Sequence, residues 1–113
     1  DEMKLRLTAR GIELSADLKE YVGRRTHFRL GRFAGRIRSV SISLSDVNGP
    51  RGGNDKVCDL RVDVGQRQQV IVRERQAKVH AAVAFAMDRA ERAVERQLKL
   101  RSRGIRIACD DDP

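Results

Sequence analysis

Met3, Leu5, Leu7 and Ala9 alternate with Lys4, Arg6, Thr8 and Arg10, the period-two pattern of a strand with one buried face. Ser15 is placed to cap a helix carrying Leu18, Tyr21 and Val22, with Gly31 and Gly35 as places for it to stop. The phase of that helix is imperfect, because Arg25 and Arg29 fall near the face set by Leu18 and Val22. Val40, Ile42 and Leu44 alternate with Ser39, Ser41, Ser43 and Ser45 to predict a second strand, and Cys58, Leu60, Val62 and Val64 alternate with Asp59, Arg61 and Asp63 to predict a third. Between them, residues 46–55 carry Asn-Gly, Gly-Pro and Gly-Gly pairs, which are strong loop signals. Val70-Ile71-Val72 marks a short fourth strand over 69–73 after a turn at Gly65, and residues 77 to about 103 read as one long helix.

The order is therefore β-α-β-β-β-α. Short strands that are apolar on one side and joined by hairpin-length links predict an α+β two-layer domain, a four-stranded and largely antiparallel sheet with both helices on one face. The first connection crosses through a helix, which allows its two strands to be parallel. Residues 1–103 form this domain, and residues 104–113, with Ile105-Arg106-Ile107 and Asp110-Asp111-Asp112, read as a loose acidic tail.

The long helix carries the most specific signal. At 100° per residue, Val79, Val83, Ala86, Met87, Ala90, Val94 and Leu98 gather within roughly 120° of arc as a core stripe. Lys78, Arg89, Arg92, Arg96, Lys99 and Arg103 gather within roughly 80°, almost opposite. Asp88, Glu91 and Glu95 form a separate flank, from which Asp88 can pair with Arg92 and Glu95 with Lys99 at i,i+4. Many charged helix faces serve only solubility. Here the like charges recur at three- and four-residue steps and repel one another, which makes sense when a row of phosphates supplies the countercharge. Arginine suits RNA because its planar fork matches phosphate oxygens and stacks on bases. Phe85 falls within the basic face, either as a stacking platform for an unpaired base or covered by Ile105 and Ile107 of the tail.

Composition agrees with a polyanionic partner. The 113 residues hold 24 Lys and Arg against 16 Asp and Glu, a formal net charge of +8, and such an excess speaks about partners rather than fold. The length suits one domain. No apolar run approaches a membrane span, and the first residues lack the pattern of a signal peptide, so the expected location is the cytoplasm. Cys58 and Cys109 match no disulfide framework and are expected as reduced thiols, while His27 and His80 lack metal-ligand spacing. No carboxylate pair, nucleophilic set or metal cluster stands out, so neither an enzyme nor a cofactor is expected. The first helix and its exit add Lys19, Arg24, Arg25, Arg29, Arg32 and Arg36, and side-by-side helices would merge their outer faces into one positive surface. Arg25 and Arg29 are the weaker contacts, since their stems fall toward the core. Arg51 and Lys56 in the glycine-rich loop are further possible phosphate contacts, although the loop matches no P-loop.

Glu20-Tyr21-Val22 on the first helix, Leu30-Gly31-Arg32-Phe33 before the second strand, and Ala81-Ala82-Val83 followed by Asp88-Arg89-Ala90-Glu91-Arg92 on the long helix, in this order of elements, resemble the bacterial ribosome hibernation-promoting factors. That family is also called ribosome-associated inhibitor or sigma-factor modulation protein. The loop from Leu44 through Lys56 resembles a divergent branch of it. The resemblance covers roughly residues 3–103. It implies a protein that lodges in the small ribosomal subunit, in the channel for messenger and transfer RNA, with basic helix residues against ribosomal RNA, so that idle ribosomes stay inactive. Arg89 and Arg92 match basic positions of the family's second-helix pattern, and Arg24 or Arg25 matches one on the first helix. The chain departs from the family in carrying Glu91-Arg92-Ala93-Val94 where Glu-Arg-Gln-Leu is common, with Glu95-Arg96-Gln97-Leu98 one turn later. Without the C-terminal dimerising domain of long members, it resembles a short form, expected to be monomeric off the ribosome.

The expected RNA contacts are thus Arg24, Arg25, Arg32, Lys78, Arg89, Arg92, Arg96, Lys99 and Arg103, with Arg51 and Lys56 from the loop. The partner is the small ribosomal subunit and its RNA, with no membrane or small-molecule substrate. Two other functions fit the same features. One is a free duplex-RNA binder or RNA chaperone, on a two-layer fold similar to that of double-stranded-RNA-binding domains. The other is a regulator that binds a transcription factor.

Overall fold

The computed structural model describes residues 3–47 and 55–102. Arg51, Arg103 and the tail 104–113, with the Ile105 and Ile107 expected over Phe85, lie outside the described residues.

The element order is β1 (Lys4–Arg10), α1 (Ala16–Leu30), a 3-10 helix (Gly31–Arg36), β2 (Ser39–Asp46), β3 (Lys56–Asp63), β4 (Gln69–Gln76) and α2 (Val79–Ser102). The strands form one sheet in the order β1-β2-β3-β4. β2-β3 and β3-β4 are antiparallel, whereas β1-β2 is parallel because α1 carries the chain back across the sheet. The sheet is therefore mixed rather than wholly antiparallel.

β4 differs from its hydrophobic signal in length. β4 runs on to Gln76, because Lys56 pairs with Gln76, Val57 with Arg75 and Cys58 with Glu74 across the hairpin. The sequence signal stopped at Arg73 because the residues beyond it are polar, and backbone pairing does not need apolar side chains. The Gly65 turn that starts this hairpin holds Gly65, Gln66 and Arg67 all at positive φ, +83°, 56° and 62°.

Ser15 caps α1, its Oγ accepting the Leu18 N–H at 3.1 Å. The buried stripe of α1 is Leu18, Val22, Thr26 and Leu30, at strict i,i+4 steps. Thr26 fits there because its hydroxyl donates to the Val22 carbonyl at 2.7 Å, leaving no unsatisfied group. The chain does not turn sharply at Gly31. It tightens into the 3-10 helix, so Arg32 and Phe33 continue along the helical line.

α2 lies over β3 and β4 and packs along α1. Ala82, Val83, Ala86, Met87, Ala90, Val94 and Leu98 of α2 join Val40, Ile42 and Leu44 of β2, Cys58, Leu60 and Val62 of β3 and Val70 and Val72 of β4 in one core. The other side of the sheet carries Arg6, Thr8, Ser41, Ser43, Asp59 and Arg61 and has no layer over it among the described residues.

Cys58 is fully buried and unpaired. Burial pushes its thiol up to about 12, with Asp59 and Glu74 adding to the shift. In a Cys109→Ser background, the native protein should therefore not react with a thiol reagent at pH 8, and should release one equivalent on unfolding. Rapid labelling of the folded protein would show that the site opens.

Candidate nucleic-acid interface

α2 divides into three longitudinal bands, as its periodicity predicts: core, acidic flank and basic face. Arg92 pairs with Asp88 at 3.0 Å and Lys99 with Glu95 at 3.3 Å, both at i,i+4. The flank also meets cations from the neighbouring helix. Arg29 reaches Glu91 at 3.0 Å and Asp88 at 3.5 Å, and Arg32 reaches Glu91 and Glu95, both at 3.3 Å. Asp88, Glu91 and Glu95 thus form the seam between the helices. Instead of merging into one continuous positive surface, the outer faces of the helices are separated by three carboxylates.

Arg32, expected as an RNA contact, stands in that seam with two carboxylates on one guanidinium nitrogen and its ring neighbour Phe33 at 4.2 Å. The Lys99 ammonium, hydrogen-bonded to Glu95, holds that carboxyl below its ordinary value of 4.5, with Arg32 acting in the same direction. Because the folded pKa is depressed, Glu95 contributes to stability above 4.5, and the contribution fades as pH falls through the lowered value.

The remaining expected contacts fall in different places. Lys78 is exposed just before α2, and Arg92, Arg96 and Lys99 are exposed along its outward face. Arg96 takes part in no ion pair among the described residues. Arg89 leans off this row toward β4, donating to Glu74 at 2.8 Å and to the Arg73 carbonyl at 2.9 Å. Exposed pairs of this kind contribute about 0–1 kcal/mol, so phosphates can compete for Arg92 and Lys99. On α1, Arg24 is exposed, whereas Arg25 is half-buried and its Nε has no hydrogen-bond partner. The stem of Arg25 is tucked in, as the imperfect phase of the helix implied.

Lys56 is anchored at the base of the loop. Its ammonium lies 2.8 Å from Asp55 and 3.4 Å from Asp46, and the hydrogen bond to Asp55 raises its pKa. It fastens the start of β3 to the end of β2, and its charge is matched within the fold.

Two exposed aromatic rings stand on the helical layer. Phe85 is 50% exposed within the basic face, and Phe28 of α1 is 71% exposed, with the Arg25 and Arg29 guanidinium carbons 5.9 and 5.4 Å from its ring centre. Sequence reasoning passed over Phe28. The signal was its position two residues after Thr26 and two before Leu30, off the buried i,i+4 stripe. An exposed ring flanked by guanidinium groups can stack on an unpaired base.

Among the described residues, no group of three or more His, Cys, Asp and Glu could hold a metal ion, and no helix is long and apolar enough to cross a membrane. His80 instead packs on Tyr21, with ring centres 4.5 Å apart, and its carbonyl accepts the Tyr21 hydroxyl at 3.4 Å.

Among solved structures, the N-terminal domain of Protein Y from Thermus thermophilus is similar, with a TM-score of 0.68 and 26% sequence identity over 83% of this chain and 98% of that one. A ribosomal subunit interface protein from Coxiella burnetii shares the fold with a TM-score of 0.71, at 15% identity over 86% of this chain and 99% of that one. No curated protein sequence matches the chain. The model of one family, described as sigma 54 modulation protein / S30EA ribosomal protein, matches residues 5–101, from β1 to the last turn of α2, and the chain belongs to that family.

Proposed function

We propose that this protein binds the small ribosomal subunit through the outward face of α2, in the channel for messenger and transfer RNA, and keeps idle ribosomes inactive. The observation that carries the reading is the exposed row of Lys78, Arg92, Arg96 and Lys99, set opposite the core on a fold shared with ribosome-interface proteins. A rigid helix holds these cations at fixed spacing, so binding needs little reordering of the protein. The phosphates that meet them release counterions, which supplies salt-dependent affinity without base recognition. Phe28 and Phe85 add stacking surfaces for unpaired bases. The protein acts by occupancy in the cytoplasm, without a cofactor.

Sedimentation through a sucrose gradient with purified small subunits tests this reading. The protein should travel with the subunits at low salt and leave them as salt is raised. Equal retention on isolated RNA duplexes would instead identify a free duplex binder. Binding to a cellular partner that survives nuclease treatment, without binding to ribosomes, would identify a protein-directed regulator.

A further inference from the structure

A second concentration of positive charge lies away from the outward face of α2. At one end of the sheet, the segment from the 3-10 helix into β2, the start of β1, the turn after β3 and the end of α2 enclose an open cleft of about 600 Å3. Lys4, Arg36, Arg38 and Arg101 line it, and Asp63 is its one acidic lining residue. The Asp63 Oδ1 atom accepts the Gly65 N–H at 2.9 Å, so this carboxylate is committed to the turn. Lys4, Arg36 and Arg38 are exposed and take part in no ion pair among the described residues.

The backbone around these cations is held firmly. Ile37 is buried between Arg36 and Arg38 in extended conformation, which sends the two arginine side chains outward. The Arg38 N–H donates to the Asp63 carbonyl at 2.8 Å, and its carbonyl accepts from the Lys4 N–H at 3.3 Å. Arg101 donates to the Val64 carbonyl at 2.7 Å, which fixes one guanidinium nitrogen, and its other N–H groups have no partner among the described residues. In the turn that follows Gly65, Gln66 and Arg67 are consecutive non-glycine residues at positive φ, an uncommon backbone that persists when the surroundings impose it. Arg38 lies over Gly65, its Cδ 3.8 Å from where a β carbon would stand, an ordinary van der Waals distance.

Cations gathered on a fixed frame without matching carboxylates repel one another, and a multiply charged oxyanion relieves that repulsion. We infer that the cleft formed by Lys4, Arg36, Arg38 and Arg101 is a phosphate site, separate from the α2 row, which takes a ligand of at least two linked phosphates. Its volume lies within the range of small-molecule sites. The diphosphate of a free nucleotide and successive phosphates of an RNA strand share the chemistry that this site recognises. The inference does not depend on ribosome binding.

Amide-resolved NMR titration of the full chain with inorganic pyrophosphate, at constant ionic strength, tests it. Saturable shifts are expected at Gly35, Arg36, Arg38 and Gly65. R36E/R38E should weaken the response by roughly tenfold or more, given that each charge-assisted hydrogen bond contributes to affinity, whereas R92E/R96E should leave it within about twofold. R36Q/R38Q, which removes charge without reversing it, should fall between, and an otherwise unchanged spectrum verifies its fold. Shifts that fail to saturate, or that are lost equally in R92E/R96E, would overturn the site. Competition then identifies the source: preferential displacement by adenosine diphosphate supports a nucleotide site, and preferential displacement by an oligoribonucleotide with hydroxyl ends supports a backbone site.

Discussion

If the outward face of α2 is the contact surface proposed above, reversing Arg92 and Arg96 to glutamate should lower affinity for small ribosomal subunits by roughly a hundredfold or more, while the domain stays folded. Both side chains are exposed on the outward face of α2. Among the described residues Arg92 is tied only to Asp88, in an exposed i,i+4 pair, so the cost to stability is about 1 kcal/mol or less. The effect on binding is larger, because each reversal removes an attraction to phosphate and adds a repulsion. If five or six phosphates are contacted, log affinity falls with log salt at a slope of roughly −4 to −5, which corresponds to about 250- to 1,000-fold between 50 and 200 mM salt. The double variant should show a slope shallower by about 2. Filter binding or gradient sedimentation across a salt series measures both quantities. Unchanged affinity in a folded double variant would remove this face as the contact surface.

Leu60→Ala should produce the largest loss of stability among single substitutions in the sheet, about 3 kcal/mol. Leu60 is 1% exposed on β3, between Ile42 of β2 and Val72 of β4, and faces α2. Truncation there leaves a cavity bounded on both sides by paired strands that cannot readily close on it. The melting temperature should fall by roughly 12 °C, at about 4 °C per kcal/mol for a chain of this size. Ile71→Ala provides the contrast. Ile71 lies on β4 one residue before Val72 but is 67% exposed on the opposite face, so the change should be within about 0.5 kcal/mol. Equal effects at the two positions would mean that strand propensity, rather than burial beneath α2, governs the stability of the sheet.

Several features were legible in the sequence because each depends on one element alone. The period-two strands, the Ser15 cap and the division of α2 into core, acidic and basic bands follow from the angular spacing of side chains along a single segment. The i,i+4 pairs Asp88–Arg92 and Glu95–Lys99 belong to the same class, since helix geometry brings them together wherever the helix lies. The extension of β4 to Gln76 did not, because its polar residues are held as strand by pairing with β3.

The charges show the same division. The sequence by itself determined that α2 would carry a basic face opposite its core. Only the tertiary structure decided which cations remain available there. Arg29 and Arg32 meet Glu91 and Glu95 across about 60 residues of chain, Arg89 meets Glu74 of β4, and Lys56 closes on Asp46 and Asp55. The cleft at the end of the sheet likewise joins Lys4, Arg36, Arg38 and Arg101, residues from separate parts of the chain that no local spacing connects. Periodicity sets the direction in which a side chain leaves its own element. The group it meets is set by how the helices pack on the sheet, and that packing depends on the whole core at once.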